Sequence, residues 1–205
     1  GHRVFAGTRA SVDMGDAIER FELNVRDEHQ VDAAINAIAQ RSPIDILVNN
    51  AGIHIGGPLA EIAQDDFKHV LDVNLLGAWR VSRAVLRHMR KGGCIGMISS
   101  LSGLVGRAED GAYTASKFAL EGMSQSLACE LASRGIRVAL FEPGGIATEF
   151  TESTDGAPPA EIAGEIVDKL TSEQTDLHFP VGDQARQITG RLRLDTRMPD
   201  ERLKG

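Results

Sequence analysis

Short apolar runs alternate with longer amphipathic stretches along most of this chain, and this alternation sharply limits the folds open to it. The short runs have the length and composition of buried strands, whereas the longer stretches repeat apolar residues at helical spacing. Strands that alternate with helices pair in parallel through right-handed crossovers. We therefore expect an α/β fold in one domain of residues 1–205, with a doubly wound, Rossmann-like parallel sheet and helices on both of its faces.

The predicted elements follow from this pattern and from the turn residues between its segments. Strands are predicted at residues 3–7, 21–25, 44–49, 94–99, 137–142 and 178–181. Helices are predicted at 28–41, 65–90, 112–134 and 160–170. Asp65 is expected to cap the second helix, which Gly77 interrupts. Residues 151–159 have the composition of a loop, so we expect residues 149–176 to be a loop and helix region beside the substrate.

Composition excludes several classes of function. A net charge of −7 argues against a nucleic-acid or anionic membrane surface. No apolar run approaches the ~20 residues that span a bilayer, so we expect no membrane span. The six histidines have no metal-type spacing, and neither cysteine lies in a Cys-x-x-Cys pair, so we expect no metal site. Cys94 and Cys129 are predicted to be buried free thiols, which indicates a reducing, cytoplasmic location.

Tyr113 and Lys117 are four residues apart within a predicted helix, which places them on one face. A cation within ~4–6 Å lowers the pKa of a phenol from its usual value of about 10, which would make Tyr113 useful in proton transfer. Ser100 adds a hydroxyl from the end of a predicted strand. An exposed helical pair without a function would have the same spacing. However, Asn49, Ser100 and Glu142 all end strands, where ligands bind in parallel sheets.

These residues resemble the short-chain dehydrogenase/reductase family, from Gly1 to about Val181, and the segment His178-Phe179-Pro180-Val181-Gly182 resembles its steroid-dehydrogenase-like branch. The resemblance depends on five motifs in order: Asn49-Asn50-Ala51-Gly52, Val73-Asn74, Ile98-Ser99-Ser100, Tyr113-x-x-x-Lys117 and Pro143-Gly144-Gly145-Ile146-Ala147-Thr148. It implies an oxidoreductase that interconverts a ketone or aldehyde and an alcohol. By this resemblance the catalytic residues are Asn74, Ser100, Tyr113 and Lys117.

The resemblance also assigns a role to each catalytic residue. Tyr113 would exchange a proton with the substrate oxygen, which Ser100 would hold. Lys117 would lower the pKa of Tyr113 and bind the nicotinamide ribose. Asn74 would fix a water that joins Lys117 to solvent, although taken alone it has the character of a helix-interior amide bonded to backbone.

The same resemblance implies a nicotinamide cofactor. Its expected contacts, besides Tyr113 and Lys117, are Arg9, Asn24, Val25, Asn50, Ala51, Gly52, Pro143, Gly144, Ile146 and Thr148. Asn49 and Asn50 have an alternative role, which is to bond the backbone of a neighbouring strand. Arg9 follows the first predicted strand where members that use NAD have an acidic residue, and a guanidinium suits a 2′-phosphate. This favours NADP(H) over NAD(H), although Arg9 could equally be a solvated loop cation.

The chain departs from the family at its start, because no strand with a Gly-rich turn and helix precedes residue 3. That strand would lie in the middle of the sheet, so we expect two exposed strand edges there. We expect residues 1–205 to belong to a longer protein. The alternative is a non-catalytic family remnant that acts as a scaffold or regulatory domain.

The substrate and partners are less constrained. Residues Ser102, Arg107 and Gly145 are expected to line the substrate pocket together with Ser100. Because the surrounding residues are small and apolar, a hydrophobic ketone or alcohol is expected. Arg107 could anchor an acidic substrate or be a surface charge. The two long helices, at 65–90 and 112–134, are the surfaces through which the family forms dimers or tetramers, although core packing would give them the same apolar stripe.

Overall fold

A computed structural model describes residues 2–9, 15–146 and 156–192. Within these residues the strands are β1 (Val4–Thr8), β2 (Ile18–Glu22), β3 (Ile46–Asn49), β4 (Cys94–Ile98), β5 (Arg137–Pro143) and β6 (His178–Val181). The helices are α1 (Glu28–Arg41), α2 (Gln64–Leu71), α3 (Ala78–Val85), α4 (Gly111–Ala132), α5 (Pro159–Thr171) and α6 (Asp183–Leu192). A π-helical segment (Asp72–Gly77) joins α2 to α3, and a short 3-10 turn (Leu101–Gly103) follows β4.

Every strand pairing within the described residues is parallel, as the alternating pattern predicted. β1 pairs with β2, and β3, β4, β5 and β6 form a second sheet in that order. In the second sheet Ile95 of β4 lies between Leu47 of β3 and Val138 of β5. The carboxyl ends of β3, β4 and β5 therefore meet at one edge, where the candidate chemical residues follow them.

Among the described residues no ladder joins β1 to β3, and each strand is the edge of its sheet. Val4 on β1 and Val48 on β3 remain 43% and 44% exposed, unlike the apolar residues of the inner strands. This agrees with the expected interruption between the first strand and the strand that leads to Asn49. The sequence therefore predicted both the parallel architecture and the position of its break.

Helices cover both faces of the four-stranded sheet. On one face, α1, α3 and α4 pack onto alternate residues of β4 and β5. The buried residues of this core include Val31, Val85, Ile95, Leu120, Val138 and Leu140. On the other face, α5 and β6 surround Ala139 and Phe141, together with Ile162, Leu170, Phe179 and Val181. Because successive residues of β5 point to opposite faces, one strand contributes to both cores.

The second strand lies earlier in the chain than predicted, at Ile18–Glu22 rather than 21–25. Pairing with β1 fixes this position, because Val4 lies beside Ile18 and Thr8 beside Glu22. Asn24 instead begins a turn, in which its Oδ1 accepts a hydrogen bond from the Arg26 amide at 3.1 Å. Asn24 and Val25 therefore follow the carboxyl end of β2.

The second predicted helix is helical as far as Val85 but differs from the prediction at both ends. It begins after Ala63, which makes no side-chain cap, so the prediction that Asp65 caps it was wrong; Asp65 lies in the first turn. The regular helix ends at Val85, short of the predicted end at 90, because tight turns follow it. The interruption near Gly77 is the π-helical segment. A Cβ on Gly77 would lie 2.7 Å from Cγ2 of Val25, so glycine permits this close packing.

Helix α6 was not predicted. It follows Gly182, whose φ of +83° breaks the chain direction after β6, and it buries Ala185 and Thr189. Its sequence carries few apolar residues, so helical periodicity gave a weak signal. No helix of the described part of the chain, α6 included, has the length and apolar content that a membrane crossing needs.

Candidate active site

Ser100 and Tyr113 come together from separate elements. Ser100 follows β4, and its Oγ accepts a hydrogen bond from the Ser102 amide at 3.1 Å, which caps the 3-10 turn. Tyr113 lies in the first turn of α4, and its phenol is hydrogen-bonded to the Ser100 side chain. The two hydroxyls that the sequence proposed for one substrate oxygen are therefore in contact with each other.

The pKa of Tyr113 shifts in the opposite direction to the one expected. Burial raises the pKa of this phenol above its ordinary value, the hydrogen bond from Ser100 opposes the rise, and the charge of Asp110 adds to it. Lys117 lies with its Nζ 5.6 Å from the centre of the Tyr113 ring, but Nζ donates its hydrogen bond to the Ile98 carbonyl at 2.6 Å. The phenol is therefore in its protonated form at neutral pH, which makes it a proton donor.

Lys117 is almost completely buried, at 4% exposure. Burial lowers the pKa of its ammonium group to about 8, and the nearby Glu121 carboxylate opposes that fall. The charge of this lysine is therefore sensitive to pH close to neutrality, and to the charge of Glu121.

Asn74 lies in the π-helical segment and is 1% exposed. Its Oδ1 accepts from the Ile53 amide at 2.8 Å, and its Nδ2 donates to the Ile53 carbonyl at 2.9 Å. Nδ2 also donates to Ser116 Oγ at 3.0 Å, and that hydroxyl donates to the Tyr113 carbonyl at 2.7 Å. Asn74 thus links the segment after β3 to the first turn of α4. Both of its amide hydrogens are used, so a bridging water could bond the side chain only through Oδ1.

A histidine and an aspartate that the sequence did not single out lie beside Tyr113. The His54 ring is 5.3 Å from the Tyr113 ring and nearly perpendicular to it, at 79°. His54 Nε2 lies 2.7 Å from Asp110 Oδ1, at hydrogen-bonding distance. The two residues are 56 positions apart, so no local spacing could have linked them. They form one wall of the site.

Arg107 belongs to the same wall. Its Nε lies 3.6 Å from Asp110 Oδ2, and its side chain is 71% exposed. This pairing favours the interpretation of Arg107 as a surface charge. Ser102, also expected at the substrate, is buried within the 3-10 turn, whereas Gly145 is exposed.

The residues after β3 occupy the strand end as expected. Asn50 and Ala51 are exposed there, and a Cβ on Gly52 would lie 3.5 Å from Asn74 Oδ1. Asn49 is buried, and its Nδ2 donates to Ser82 Oγ at 2.9 Å and contacts Met97 Sδ at 3.2 Å. Asn49 therefore has the structural role that was expected as its alternative, but it bonds neighbouring side chains and not the backbone of the neighbouring strand.

The segment after β5 is anchored by α6. The Gly145 amide donates to Gln184 Oε1 at 2.6 Å, and a Cβ on Gly144 would lie 2.7 Å from the same oxygen. Pro143 is buried as the last residue of β5, and Ile146 is half-buried. Thr148 lies outside the described residues, as does the stretch 149–155 of the expected substrate region. Arg9 is exposed directly after β1.

Together, the fold and the site define a Rossmann-type α/β protein whose strand ends bring a serine, a tyrosine and a lysine to one place. The family described as short chain dehydrogenase matches residues 5–158. The chain belongs to this short-chain dehydrogenase/reductase family.

Individual relatives agree with this assignment. Retinol dehydrogenase 8 of Bos taurus is 38% identical over 176 residues, which cover 84% of this chain and 56% of the relative. The 17-beta-hydroxysteroid dehydrogenase type 1 of Homo sapiens is 35% identical over 178 residues, which cover 86% of this chain and 51% of the relative. The chain therefore spans about half the length of these curated relatives.

Solved structures show the same fold. A short chain dehydrogenase from Burkholderia cenocepacia in complex with NADP superposes with a TM-score of 0.84 at 25% identity, covering 95% of this chain and 84% of that one. A 4-hydroxyisoleucine dehydrogenase complexed with NADH superposes with a TM-score of 0.71 at 28% identity, covering 84% of this chain and 80% of that one.

Proposed function

We propose that the protein is a nicotinamide-dependent oxidoreductase that interconverts a carbonyl compound and its alcohol. The observation that carries this proposal is the contact between Ser100 and Tyr113 with Lys117 buried beside them. The cofactor supplies the hydride for reduction, because no side chain can. Tyr113 donates its proton to the carbonyl oxygen, and the Ser100 hydroxyl donates a hydrogen bond to the same oxygen. Fixed donors at that oxygen stabilise the charge that develops on it.

The raised pKa of Tyr113 favours one direction of this reaction at neutral pH. A protonated phenol is ready to donate to a carbonyl oxygen, whereas alcohol oxidation needs the phenolate. Lys117, when cationic, favours the phenolate and so assists proton release. The site as described is therefore ready for the reductive step, in which Tyr113 gives up its proton.

The residues at the strand ends fit a nicotinamide cofactor. Ala51 and Gly52 leave the end of β3 without large side chains, whereas at the end of β5 the missing side chain of Gly144 makes room for Gln184 of α6. Asn24, Val25 and Asn50 would meet the adenosine side, whereas Lys117, Pro143, Gly144, Ile146 and Thr148 would meet the nicotinamide side.

We propose NADP(H) over NAD(H), because Arg9 is exposed directly after β1 and that position carries no acidic side chain. Of the two structural neighbours described above, one holds NADP and the other NADH.

NADPH is expected to raise the Tm of the intact natural protein by roughly 5–10 °C at a hundredfold excess over its Kd, because it binds only the folded state. NADH at the same concentration should raise it less. Arg9→Ala should reduce the effect of NADPH and leave that of NADH unchanged, and Arg3→Ala, at the opposite end of β1, provides an arginine control. A thermal-shift titration measures all of these. Equal shifts with NADPH and NADH would refute the preference, and no shift with either would support a remnant without cofactor.

The substrate is proposed to be a small, apolar ketone or alcohol. The exposed residues expected around it are Val105, Arg107 and Gly145, and Arg107 already pairs with Asp110. The names of the relatives, retinol and 17-beta-hydroxysteroid dehydrogenases, support an apolar substrate class.

A cytoplasmic location is proposed from the two cysteines, both of which lie among the described residues. Cys94 is buried and Cys129 is partly buried, and both are free thiols, as proteins of a reducing compartment have.

A homodimer or homotetramer is proposed, with the surface of α3 and α4 as the contact. Leu76, Trp79 and Phe118 are 41%, 43% and 46% exposed on this surface, although large apolar side chains are usually buried. The double variant Trp79→Ser/Phe118→Ser is expected to halve the molar mass measured by light scattering after size-exclusion chromatography. Leu192→Ser, an equally exposed apolar residue on α6, should leave the mass unchanged. A monomeric wild-type protein would contradict the proposal.

A further inference from the structure

Three ionisable residues that the proposed reaction does not use meet beneath Lys117. Glu121 lies one helical turn after Lys117 on α4, Glu142 lies near the end of β5, and His178 begins β6. His178 Nδ1 is 2.7 Å from Glu142 Oε1 and 3.5 Å from Glu121 Oε2. Their exposures are 4%, 0% and 2%, so water does not solvate them. We call these three residues the buried acid cluster.

Groups on α4, after β4 and in the 3-10 turn surround the buried acid cluster. Ser99 at the end of β4 presents its hydroxyl to Glu121, and Lys117 faces Glu121 along the helix. A Cβ on Gly103 would lie 2.7 Å from Ser99 Oγ and 3.1 Å from Glu121 Cγ, so the 3-10 turn after Ser100 lies directly over the cluster. The facing groups are thus Lys117, Ser99 and the three members themselves.

The charges of these groups are interdependent. The net charge of the two carboxylates and the two bases, His178 and Lys117, is zero when these four groups together bind two titratable protons. One imidazole nitrogen cannot neutralise both carboxylates, since it lies within normal hydrogen-bonding distance of Glu142 only. The Oε2 atom of Glu142 and both carboxyl oxygens of Glu121 make no hydrogen bond within the described residues. Unpaired ionised oxygens in such a place are costly, so a proton relieves Glu142 and a cationic Lys117 compensates an ionised Glu121.

The expected protonation follows from burial. Burial raises the pKa of Glu142 to about 8, and burial together with the charge of Glu142 raises that of Glu121 to about 7. Both carboxyls therefore bind protons near neutral pH, and the charge of each affects the protonation of the other. An ionised Glu121 beside Lys117 then favours the cationic form of the lysine.

We propose that the buried acid cluster is a second electrostatic element of the active site, in which Glu121 keeps Lys117 cationic while Glu142 and His178 hold the compensating proton. Glu121 acts here as a positioning residue, because it works through Lys117 and not on the substrate. The inference rests on the proposed function only in linking the charge of Lys117 to catalysis.

A metal ion is the main alternative occupant, because the three ligand atoms lie within 4.8 Å of one another. The geometry favours a proton instead. Two ligands of a tetrahedral Zn²⁺ at ~2.0–2.2 Å from the ion would be about 3.4 Å apart, whereas His178 Nδ1 and Glu142 Oε1 are 2.7 Å apart. That separation is a hydrogen bond.

Two isosteric variants test the proposal because only one of them removes a charge beside Lys117. Glu121→Gln removes the carboxylate beside Lys117, so the pKa of Lys117 should fall by about one unit. Glu142→Gln replaces a carboxyl whose charge the proton shared with His178 already compensates, so the pKa of Lys117 should stay close to its wild-type value. Side-chain NMR of the lysine ammonium groups measures this without activity, with Lys117→Met identifying the signal.

Activity provides the second measurement. The alkaline limb of the kcat–pH profile should move to lower pH by about one unit in Glu121→Gln and stay near its wild-type position in Glu142→Gln. A merely structural cluster would lower stability in both variants and move the pKa of Lys117 in neither, which would overturn the proposal. Stoichiometric binding of Zn²⁺ by the wild-type protein, lost in both variants, would overturn it as well. If the pKa of Lys117 shifts as expected but no variant reduces ketones, the cluster is confirmed and the proposed function fails.

Discussion

Tyr113→Phe is expected to lower kcat for ketone reduction by about three orders of magnitude in the intact natural protein, with little change in the Kd of NADPH. The variant lacks only the hydroxyl, which is the proton donor, and acid–base groups of this kind contribute typically 10²–10⁴-fold. The phenylalanine ring keeps the edge contact with His54 and the packing at the start of α4. The loss should therefore be one of chemistry and not of folding. Steady-state kinetics with NADPH measures it.

Ser100→Ala provides the comparison for this result. It removes one hydrogen-bond donor to the substrate oxygen and leaves the proton donor in place, so a loss of about 100-fold, smaller than that of Tyr113→Phe, is expected. The NADPH-induced shift in Tm should remain close to wild type in both variants, whereas Ser100→Ala should slightly lower the unfolding midpoint because it removes the cap of the 3-10 turn. Turnover of Tyr113→Phe within a few-fold of wild type would remove Tyr113 from the mechanism.

The parallel fold was predictable because it depends on local patterns. Helix α1 and strand β6 have the predicted bounds, since Asp27, Ser42 and Gly182 mark their ends in the sequence. The predicted bounds of β2 were wrong because pairing with β1 determines them. The predicted segment 21–25 and the observed strand Ile18–Glu22 both contain apolar residues, so composition alone did not distinguish them. Helix α6 was missed because its helical character comes from packing, at Ala185 and Thr189, more than from composition.

The residues of the proton-transfer site were predictable from spacing and motif, but their electrostatics were not. Lys117 lies near Tyr113 as the i, i+4 rule requires, yet its Nζ bonds the Ile98 carbonyl. Burial then decides the direction of both pKa shifts, and burial depends on the whole fold. Long-range pairs such as His54 with Asp110 escaped detection for the same reason: residues far apart in sequence are brought together only by the packing of different elements.

Asn74→Ala is expected to lower the free energy of unfolding by about 2–4 kcal/mol. The alanine leaves both the amide and the carbonyl of Ile53 without their partners, and each partly buried, unsatisfied group costs about 1–3 kcal/mol. It also releases Ser116, whose hydroxyl connects to the Tyr113 carbonyl. Urea denaturation at constant m-value measures the loss. Gln40→Ala, which removes an exposed amide from α1, should change stability by less than about 0.5 kcal/mol.

Asn74→Asp separates the two roles that Asn74 combines. The aspartate still accepts from the Ile53 amide, but its second oxygen faces the Ile53 carbonyl and repels it. Its folded pKa should therefore lie above the unfolded value, so the stability of this variant relative to wild type is highest at acidic pH and falls as pH rises through the folded pKa. If Asn74→Ala instead kept full stability and lost only turnover, the water-holding role would stand and the structural link to Ile53 would not. Loss of both stability and turnover would mean that the connection from Ile53 through Asn74 to the start of α4 holds Tyr113 in place for proton transfer.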